Sequence, residues 1–177
     1  MAVKPSTHSQ TQTPPSFSNK IDPLHASHTL DFFRKMGMAQ PVPQSCNVTG
    51  SFSSLFRSFI KVDHIQRGRI SCTVAVKPPT CNAYGTLHGG SVGSYAEILS
   101  IACARTIVAE NKELFLGEIS VSYLSAAPNN SEVLADVSVM KSGRNVTVVA
   151  LEFKLKKTGT LIYIAHATFY NMPVAKL

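Results

Sequence analysis

One carboxylate stands out because of its surroundings. Glu97 is the only charged residue in the fourteen-residue run SVGSYAEILSIACA, from Ser91 to Ala104, and such a carboxylate is costly to bury unless it is paired or used. The run follows NAYGTLHGG, Asn82 to Gly90, whose glycines lead into the predicted helix. Free N–H groups at a helix start can hold an oxyanion, so the pattern predicts a hydrolytic site with a buried acid. The candidate residues are Asn82, His88, Gly89, Gly90 and Glu97.

Each candidate residue also has a structural interpretation. Asn82 is typical of a turn, His88 of a structural histidine, and the glycine pair of a closely packed helix start. A serine hydrolase is a further alternative, because residues 89–93 fit G-x-S-x-G around Ser91, with Asp136 and His166 following. That motif needs a strand running directly into the serine, and PPTCNAYGTLH is not typical of a strand. The residues before the motif therefore favour the site that contains Glu97.

The spacing within the helix has a consequence for the site. Gly89 and Glu97 are eight residues apart, which is about 12 Å along a helix. A base or nucleophile must come to about 3 Å of the atom on which it acts. Both residues can act on one carbonyl group only if Glu97 comes from a second, antiparallel chain. We therefore expect a homodimer with two shared sites.

Composition excludes several classes of protein. The 177 residues are 44% hydrophobic and 15% charged, which predicts one globular domain with a tail and no membrane span. The four cysteines form no C-x-x-C pair and no zinc-ligand spacing, which favours free thiols in a reducing compartment and no metal. The net charge of +7 either aids solubility or attracts a polyanionic small molecule. Basic residues are scattered, so we expect no nucleic-acid partner.

Residues before the predicted sheet divide into two parts. Residues 1–20 are rich in Ser, Thr, Pro and Gln, which predicts a disordered tail, although transit peptides share this composition. Residues 21–58 form a predicted N-terminal helical segment. It contains one helix from Asp22-Pro23 to near Gly37 and a second after Ser51 as its cap. Phe52, Leu55, Phe56 and Phe59 recur at helical spacing there, either covering the core or forming a lid over an apolar ligand.

The remaining elements predict an α+β fold in a domain spanning residues 59–173. Residues 59–65 and 69–76 form a hairpin around Gly68, and residues 91–110 form the one long helix. Four strands follow as an antiparallel meander, at 118–124, 132–141, 145–156 and 161–170. We expect a curved six-stranded antiparallel sheet wrapped on the helix, which is apolar nearly all round and needs further cover from a partner subunit.

NAYGTLHGG followed by a helical acid resembles the PaaI-like hotdog-fold acyl-CoA thioesterases, in particular the branch of thioesterase superfamily member two (acyl-CoA thioesterase thirteen). The resemblance runs from about Ile60 to Tyr170 and includes YLSAA and KSGRNV. It implies a hotdog fold, a long central helix wrapped by the sheet, in dimers or tetramers that act on acyl-CoA without a cofactor. It implies that the Asn82 side chain and the Gly89 N–H polarise the thioester carbonyl. Glu97 is then the base or nucleophile, and His88 holds the loop or the substrate.

The resemblance also implies a coenzyme A site and shows two departures from the branch. The nucleotide-binding turn maps onto Lys141, Ser142, Gly143, Arg144, Asn145 and Val146, with Tyr123 nearby. An ordinary solvated turn is the alternative. The branch has Asp where this chain has Glu97, and its water-orienting Ser is absent from residues 114–117. That auxiliary role is therefore missing or passes to Ser120.

Two further expectations concern function and location. A hotdog hydratase or dehydratase and a non-catalytic acyl-CoA-binding protein remain alternatives to a thioesterase. The acyl group stays open, because Phe52, Phe56 and Phe59 suit a fatty chain or an aryl ring. Residues 174–177 form a predicted tail in which Ala175-Lys176-Leu177 resembles a peroxisomal address. Cytoplasmic and plastid or mitochondrial locations are the alternatives.

Overall fold

The structure is a computed structural model that describes residues 16–37 and 40–173. Two compact units divide between Gln44 and Ser45. The predicted tail of residues 1–20 lies mostly outside the described residues. Ala175-Lys176-Leu177 lies wholly outside them, so the peroxisomal address stays a prediction.

The first unit contains the predicted N-terminal helix, α1, at Pro23–Lys35. The Asp22 carboxylate caps it by accepting a hydrogen bond of 2.7 Å from the Leu24 N–H, and Pro23 occupies the first helical position. Gly37 follows the helix with φ +84°, a conformation that favours glycine. The predicted start and end of this helix are confirmed.

The second unit begins with a short 3₁₀ turn at Gln44–Cys46 and the helix α2 at Ser51–Arg57. The predicted cap is wrong by one residue. Gly50 takes the cap position with φ +82°, while the Ser51 hydroxyl donates to the Cys46 carbonyl. Because α2 belongs to the second unit, the two units divide within the 21–58 segment and not at its end.

Six strands form one antiparallel sheet in the order β1-β2-β4-β5-β6-β3. Tight turns at Gly68 and Gly159, both with positive φ, close two of its hairpins. The strands are β1 Ile60–Gln66, β2 Arg69–Ala75, β3 Lys112–Tyr123, β4 Glu132–Ser142, β5 Val146–Leu155 and β6 Leu161–Pro173.

The predicted four-stranded meander is wrong. Only β4, β5 and β6 follow one another, because β3 pairs with β6 and β4 pairs with β2. β3 also begins at Lys112, six residues before the predicted start. The alternation of β3 continues through Glu113 and Phe115, which are exposed on an edge strand. Hydrophobicity alone therefore marks the first residues of this strand poorly.

The long helix, α3, spans Gly89–Arg105 and packs on one face of the sheet. It ends five residues before the predicted end, because the chain turns at Thr106, whose hydroxyl donates to the Cys103 carbonyl. The core consists of one face of α3 and the inward alternate residues of the strands. Its largest buried members include Tyr95, Leu99, Val137, Leu151, Phe153 and Phe169. The predicted α+β architecture, a helix on a six-stranded antiparallel sheet, is confirmed.

Candidate active site

The loop before α3 is organised by Asn82. Its side-chain carbonyl accepts hydrogen bonds from the N–H groups of Tyr84 at 3.0 Å and Thr86 at 3.2 Å. Its amide nitrogen donates to the Thr86 hydroxyl at 3.0 Å. A side-chain amide carries two N–H donors, so one of them stays available beside the loop. Asn82 is therefore a turn residue and a potential donor to a ligand.

His88 caps the start of α3. The Nδ1 atom of its ring accepts a hydrogen bond of 2.9 Å from the Gly90 N–H, and the backbone N–H of His88 donates to the Thr80 carbonyl. A neutral His88 in this arrangement carries its proton on Nε2. Next to it, the buried Ser91 hydroxyl donates to the same Thr80 carbonyl at 3.0 Å. The histidine thus holds the motif loop to the helix.

Gly89 presents an unused donor at the positive end of α3. Its N–H donates to no acceptor within the described part of the chain, as expected for the first residue of a helix. The Gly89 carbonyl accepts a hydrogen bond of 2.9 Å from the Tyr123 hydroxyl. A Cβ at this position would lie 3.4 Å from the Tyr123 ring, so glycine permits the close approach. The start of α3 can therefore hold a carbonyl oxygen or an oxyanion.

The structure places Glu97 on the exposed face of α3 and away from these groups. The expectation of a buried acid is wrong for the single chain, since Glu97 is exposed and has no hydrogen bond or ion pair among residues 16–37 and 40–173. The physical reason is that the core-facing side of α3, with Tyr95, Leu99 and Cys103, packs on the sheet and Glu97 lies outside it. Any burial of Glu97 must come from outside its own chain.

The serine-hydrolase alternative does not fit the geometry. Ser91 lies in the first turn of α3 with its hydroxyl bonded to the backbone, and a loop, not a strand, precedes it. Asp136 lies on the face of the sheet opposite α3, where it is within 4.0 Å of Arg69 and 3.9 Å of Lys154. His166 is exposed on that same face of β6. These three side chains therefore form no triad.

The predicted coenzyme A turn joins β4 to β5 and is held by two buried polar side chains. The Asn171 amide nitrogen donates to the Gly143 carbonyl, and the Asn171 backbone N–H donates to the Asn145 carbonyl, both at 2.9 Å. Thr147 donates to the Asn171 side-chain carbonyl at 3.1 Å and accepts from Ser142 at 3.1 Å. The sequence analysis missed Thr147 and Asn171. Thr147 stands among valines at the start of β5, in VTVVALEFKL. A single polar residue in that apolar run is the signal that could have found it.

The turn presents two basic side chains. Lys141 and Arg144 are exposed, and neither is paired with a carboxylate in the described ranges. Lys154 and Lys156 nearby differ in this respect, since Lys154 lies 2.7 Å from Glu152 and Lys156 lies 3.2 Å from Glu132. An anion can therefore approach Lys141 and Arg144 without breaking an ion pair.

Within one chain Tyr123 does not lie near this turn. Tyr123 is opposite Tyr163 on β6, whereas Val146 is opposite Tyr170. Seven residues along β6 separate these positions, about 23 Å at the usual strand rise. The reason is that β3 runs antiparallel to β6. The last residues of β3 therefore lie beside the first residues of β6, at the end of the sheet near Gly89. The single chain therefore brings His88, Gly89, Gly90 and Tyr123 together, places Asn82 in the loop that leads to them, and leaves Glu97 and the turn apart from them.

The comparisons with known proteins bear on the same segment. A model of the Thioesterase superfamily matches residues 84–162. The expected similarity to the thioesterase superfamily is therefore confirmed for residues 84–162. The match includes His88, Gly89, Gly90, Glu97 and the β4–β5 turn, and it begins two residues after Asn82.

Two relatives share about a quarter of their aligned residues with this chain. A putative esterase of Caenorhabditis elegans is 26% identical over 97 residues, which are 55% of this chain and 57% of that protein. Human acyl-coenzyme A thioesterase 13 is 25% identical over 95 residues, 54% of this chain and 67% of that protein. This chain thus spans little more than half the length of the nematode relative.

The solved structures confirm the hotdog fold. Zebrafish thioesterase superfamily member 2 superposes with a TM-score of 0.65 at 21% identity, covering 82% of this chain and 96% of that one. The expected fold is therefore confirmed. Among the described residues, no group of three potential ligands could hold a metal ion, and none of the helices is long and apolar enough to cross a membrane.

We expect Thr147→Val to destabilise the superfamily domain. The substitution keeps the volume of the side chain but leaves Ser142 and the Asn171 carbonyl without their partner in a buried site. The free energy of unfolding should fall by about 1–3 kcal/mol, measured by denaturant or thermal unfolding. Thr158→Val is the matched control, because Thr158 is exposed in the β5–β6 turn and its hydroxyl bonds only to Thr160. Its effect should stay within about 0.5 kcal/mol. Equal effects of the two variants would contradict a structural role for the buried pair.

Proposed function

We propose that the protein is an acyl-CoA thioesterase whose active sites are shared between two copies of the chain. The observation that carries the proposal is the unused Gly89 N–H at the start of α3, fixed by His88 and Tyr123, with a side-chain donor of Asn82 in the loop that leads into the helix. The superfamily match and the similarity to a protein named acyl-coenzyme A thioesterase 13 support thioester hydrolysis.

The donors at the start of α3 suit the charge that develops during hydrolysis. The thioester carbonyl oxygen accepts hydrogen bonds from the Gly89 N–H and the Asn82 amide, and the positive end of α3 adds to this field. Both donors are fixed before substrate binds, so little reorganisation accompanies the reaction. One such donor is worth about 3 kcal/mol in the transition state.

Glu97 supplies the base in this proposal. It takes a proton from a water molecule as the water oxygen attacks the thioester carbon. The tetrahedral intermediate then expels the coenzyme A sulfur, which receives the proton, and the free acid remains. Direct attack by the Glu97 carboxylate, followed by hydrolysis of the resulting anhydride, gives the same products. Either route needs Glu97 within about 3 Å of the reacting atoms.

The geometry of one chain makes sharing necessary. Glu97 lies about 12 Å along α3 from Gly89. The β4–β5 turn lies at the opposite end of the sheet, where α3 ends and Arg105 donates to the Lys112 carbonyl. A second chain with its α3 antiparallel would bring its Glu97 and its turn towards the first chain's Gly89. The exposed position of Glu97 leaves it accessible to such a partner. The higher assembly into a tetramer stays a prediction.

We expect Glu97→Gln to lower kcat by at least about a hundredfold while KM changes little, because the substitution removes the base but keeps the size of the side chain. The measurement is release of coenzyme A, followed with a thiol reagent. Glu110→Gln is the matched control, an exposed glutamate just beyond α3. Near-normal turnover by Glu97→Gln would remove Glu97 from the mechanism.

A mixture of two inactive variants tests sharing. Asn82→Asp keeps the oxygen that accepts from Tyr84 and Thr86 but replaces the donor with a carboxylate, so this variant should fold and be inactive. Unfolding and refolding equal amounts of Asn82→Asp and Glu97→Gln should restore about a quarter of wild-type activity, since half of the dimers are mixed and each has one intact site.

The control for this mixture is Asn82→Asp refolded with the double variant Asn82→Asp/Glu97→Gln. No dimer formed from these two chains contains an intact site, so no activity should return. Recovery in the control, or its absence in the first mixture when mixed dimers form, would contradict a site shared across the dimer.

A further inference from the structure

A pocket of about 310 Å³ lies beside the start of α3. Helix α2 forms one wall, and the loop that leads into α3 forms the other. Its walls include Phe52, Leu55, Phe56, Cys81, His88 and Ser91. The pocket therefore has an apolar wall on α2 and reaches the residues that flank Gly89.

The apolar wall is aromatic and extends from the surface to the core. Phe52 and Phe56 pack edge to face with ring centroids 4.8 Å apart, and Phe56 packs on Tyr95 in the same way at 5.1 Å. Phe56 is only 3% exposed, whereas Phe52 is 65% exposed. A helix with a core position at Phe56 would not need a second large aromatic side chain in solvent. The position of the Phe52 ring at the surface has a physical reason if a ligand covers that ring.

The third predicted phenylalanine does not contribute to this wall. Phe59 packs against the hydrophobic core at the start of β1 and does not line the pocket. The lid interpretation of α2 thus applies to Phe52 and Phe56, one turn apart on the face towards α3.

A polar group also lies below the pocket. The Tyr95 hydroxyl is buried beside Thr80, and burial raises the pKa of Tyr95 to about 12. Tyr95 packs behind Phe56 and does not itself line the pocket.

We propose that this pocket receives the acyl group of the substrate and that Phe52 and Phe56 select a compact aryl group over a long saturated chain. The inference rests on the proposed thioesterase function. His88 and Gly90 flank Gly89, so a thioester whose carbonyl is bound by the Gly89 N–H can place its acyl group against α2. The volume is at the lower end of the range for small-molecule pockets. The aromatic wall offers an aryl ring edge-to-face contacts, whereas the far methylenes of a long chain would remain in water.

The first test compares substrates and variants. Wild-type protein should hydrolyse benzoyl-CoA or phenylacetyl-CoA with a higher kcat/KM than palmitoyl-CoA. Phe52→Ala should lower kcat/KM for the aryl substrates about tenfold or more and should not lower it for palmitoyl-CoA. Phe32→Ala is the matched control, because Phe32 is 58% exposed and lies in the first unit. A preference for palmitoyl-CoA, or no effect of Phe52→Ala, would overturn the pocket assignment.

The second test uses Cys81 as a reporter and needs no hydrolysis. Cys81 is partly exposed on the pocket wall, Cys46 is exposed elsewhere, and Cys72 and Cys103 are fully buried. Burial also raises the pKa of the Cys72 thiol to about 11 and raises the pKa of Cys103, so both stay protonated and unreactive. In a Cys46→Ser variant, iodoacetamide should therefore alkylate Cys81, forming a carbon–sulfur bond and releasing iodide and a proton.

The reporter separates the two proposals. The non-hydrolysable thioether phenacyl-CoA should slow alkylation of Cys81 about tenfold, whereas coenzyme A alone should leave the rate nearly unchanged. Equal rates with both compounds would overturn the pocket. If no acyl-CoA is hydrolysed by wild-type protein but Cys81 is protected, the pocket stands and the thioesterase proposal fails. If hydrolysis depends on Glu97 but Cys81 is not protected and Phe52→Ala has no effect, only the pocket fails.

Discussion

The candidate site depends on how the first turn of α3 is fixed. The His88 ring caps the Gly90 N–H, the Ser91 hydroxyl ties the helix to the Thr80 carbonyl, and the Tyr123 hydroxyl holds the Gly89 carbonyl. Three hydrogen bonds from three different parts of the chain thus set the direction of α3 and leave the Gly89 N–H unused. A donor held in this way needs no rearrangement when charge develops on a carbonyl oxygen, which is the source of most electrostatic catalysis.

The same rigidity separates Gly89 from Glu97. A helix rises about 1.5 Å per residue, so no side-chain rotation brings the Glu97 carboxylate to a carbonyl at the helix start. Glu97 also lies on the face of α3 that its own sheet does not cover. An exposed carboxylate there costs nothing in the single chain, and a second chain could bury it only against groups that use its charge. One geometric fact therefore accounts for both the exposure of Glu97 and the need for a partner.

The sequence predicts those features whose causes are local. Asp22 and Pro23 mark the start of α1, and the alternation in β5 and β6 marks two strands, because capping and periodicity act within a few residues. The place of β3 beside β6 was missed, since it depends on how the chain crosses the sheet after α3. The distance of Tyr123 from the β4–β5 turn within one chain does not follow from this, since β3 runs antiparallel to β4 in a meander as in the observed sheet and ends away from that turn in both. Thr147 and Asn171 were missed because the partners of their hydrogen bonds lie 24 residues apart.

The β4–β5 turn illustrates how burial can serve a surface contact. Lys141 and Arg144 carry long, mobile side chains, and ordering such side chains on binding costs about 0.5–1.5 kcal/mol each. Their backbone, however, is fixed by Asn171, which bonds to the carbonyls on both sides of Arg144. Only the side chains then lose freedom when a polyanion binds, and no loop must be ordered. The same pair stabilises the turn whether or not a ligand binds, since it gives the Gly143 carbonyl and the Ser142 hydroxyl their hydrogen-bond partners. The backbone of the turn is therefore already ordered before any anion reaches Lys141 and Arg144.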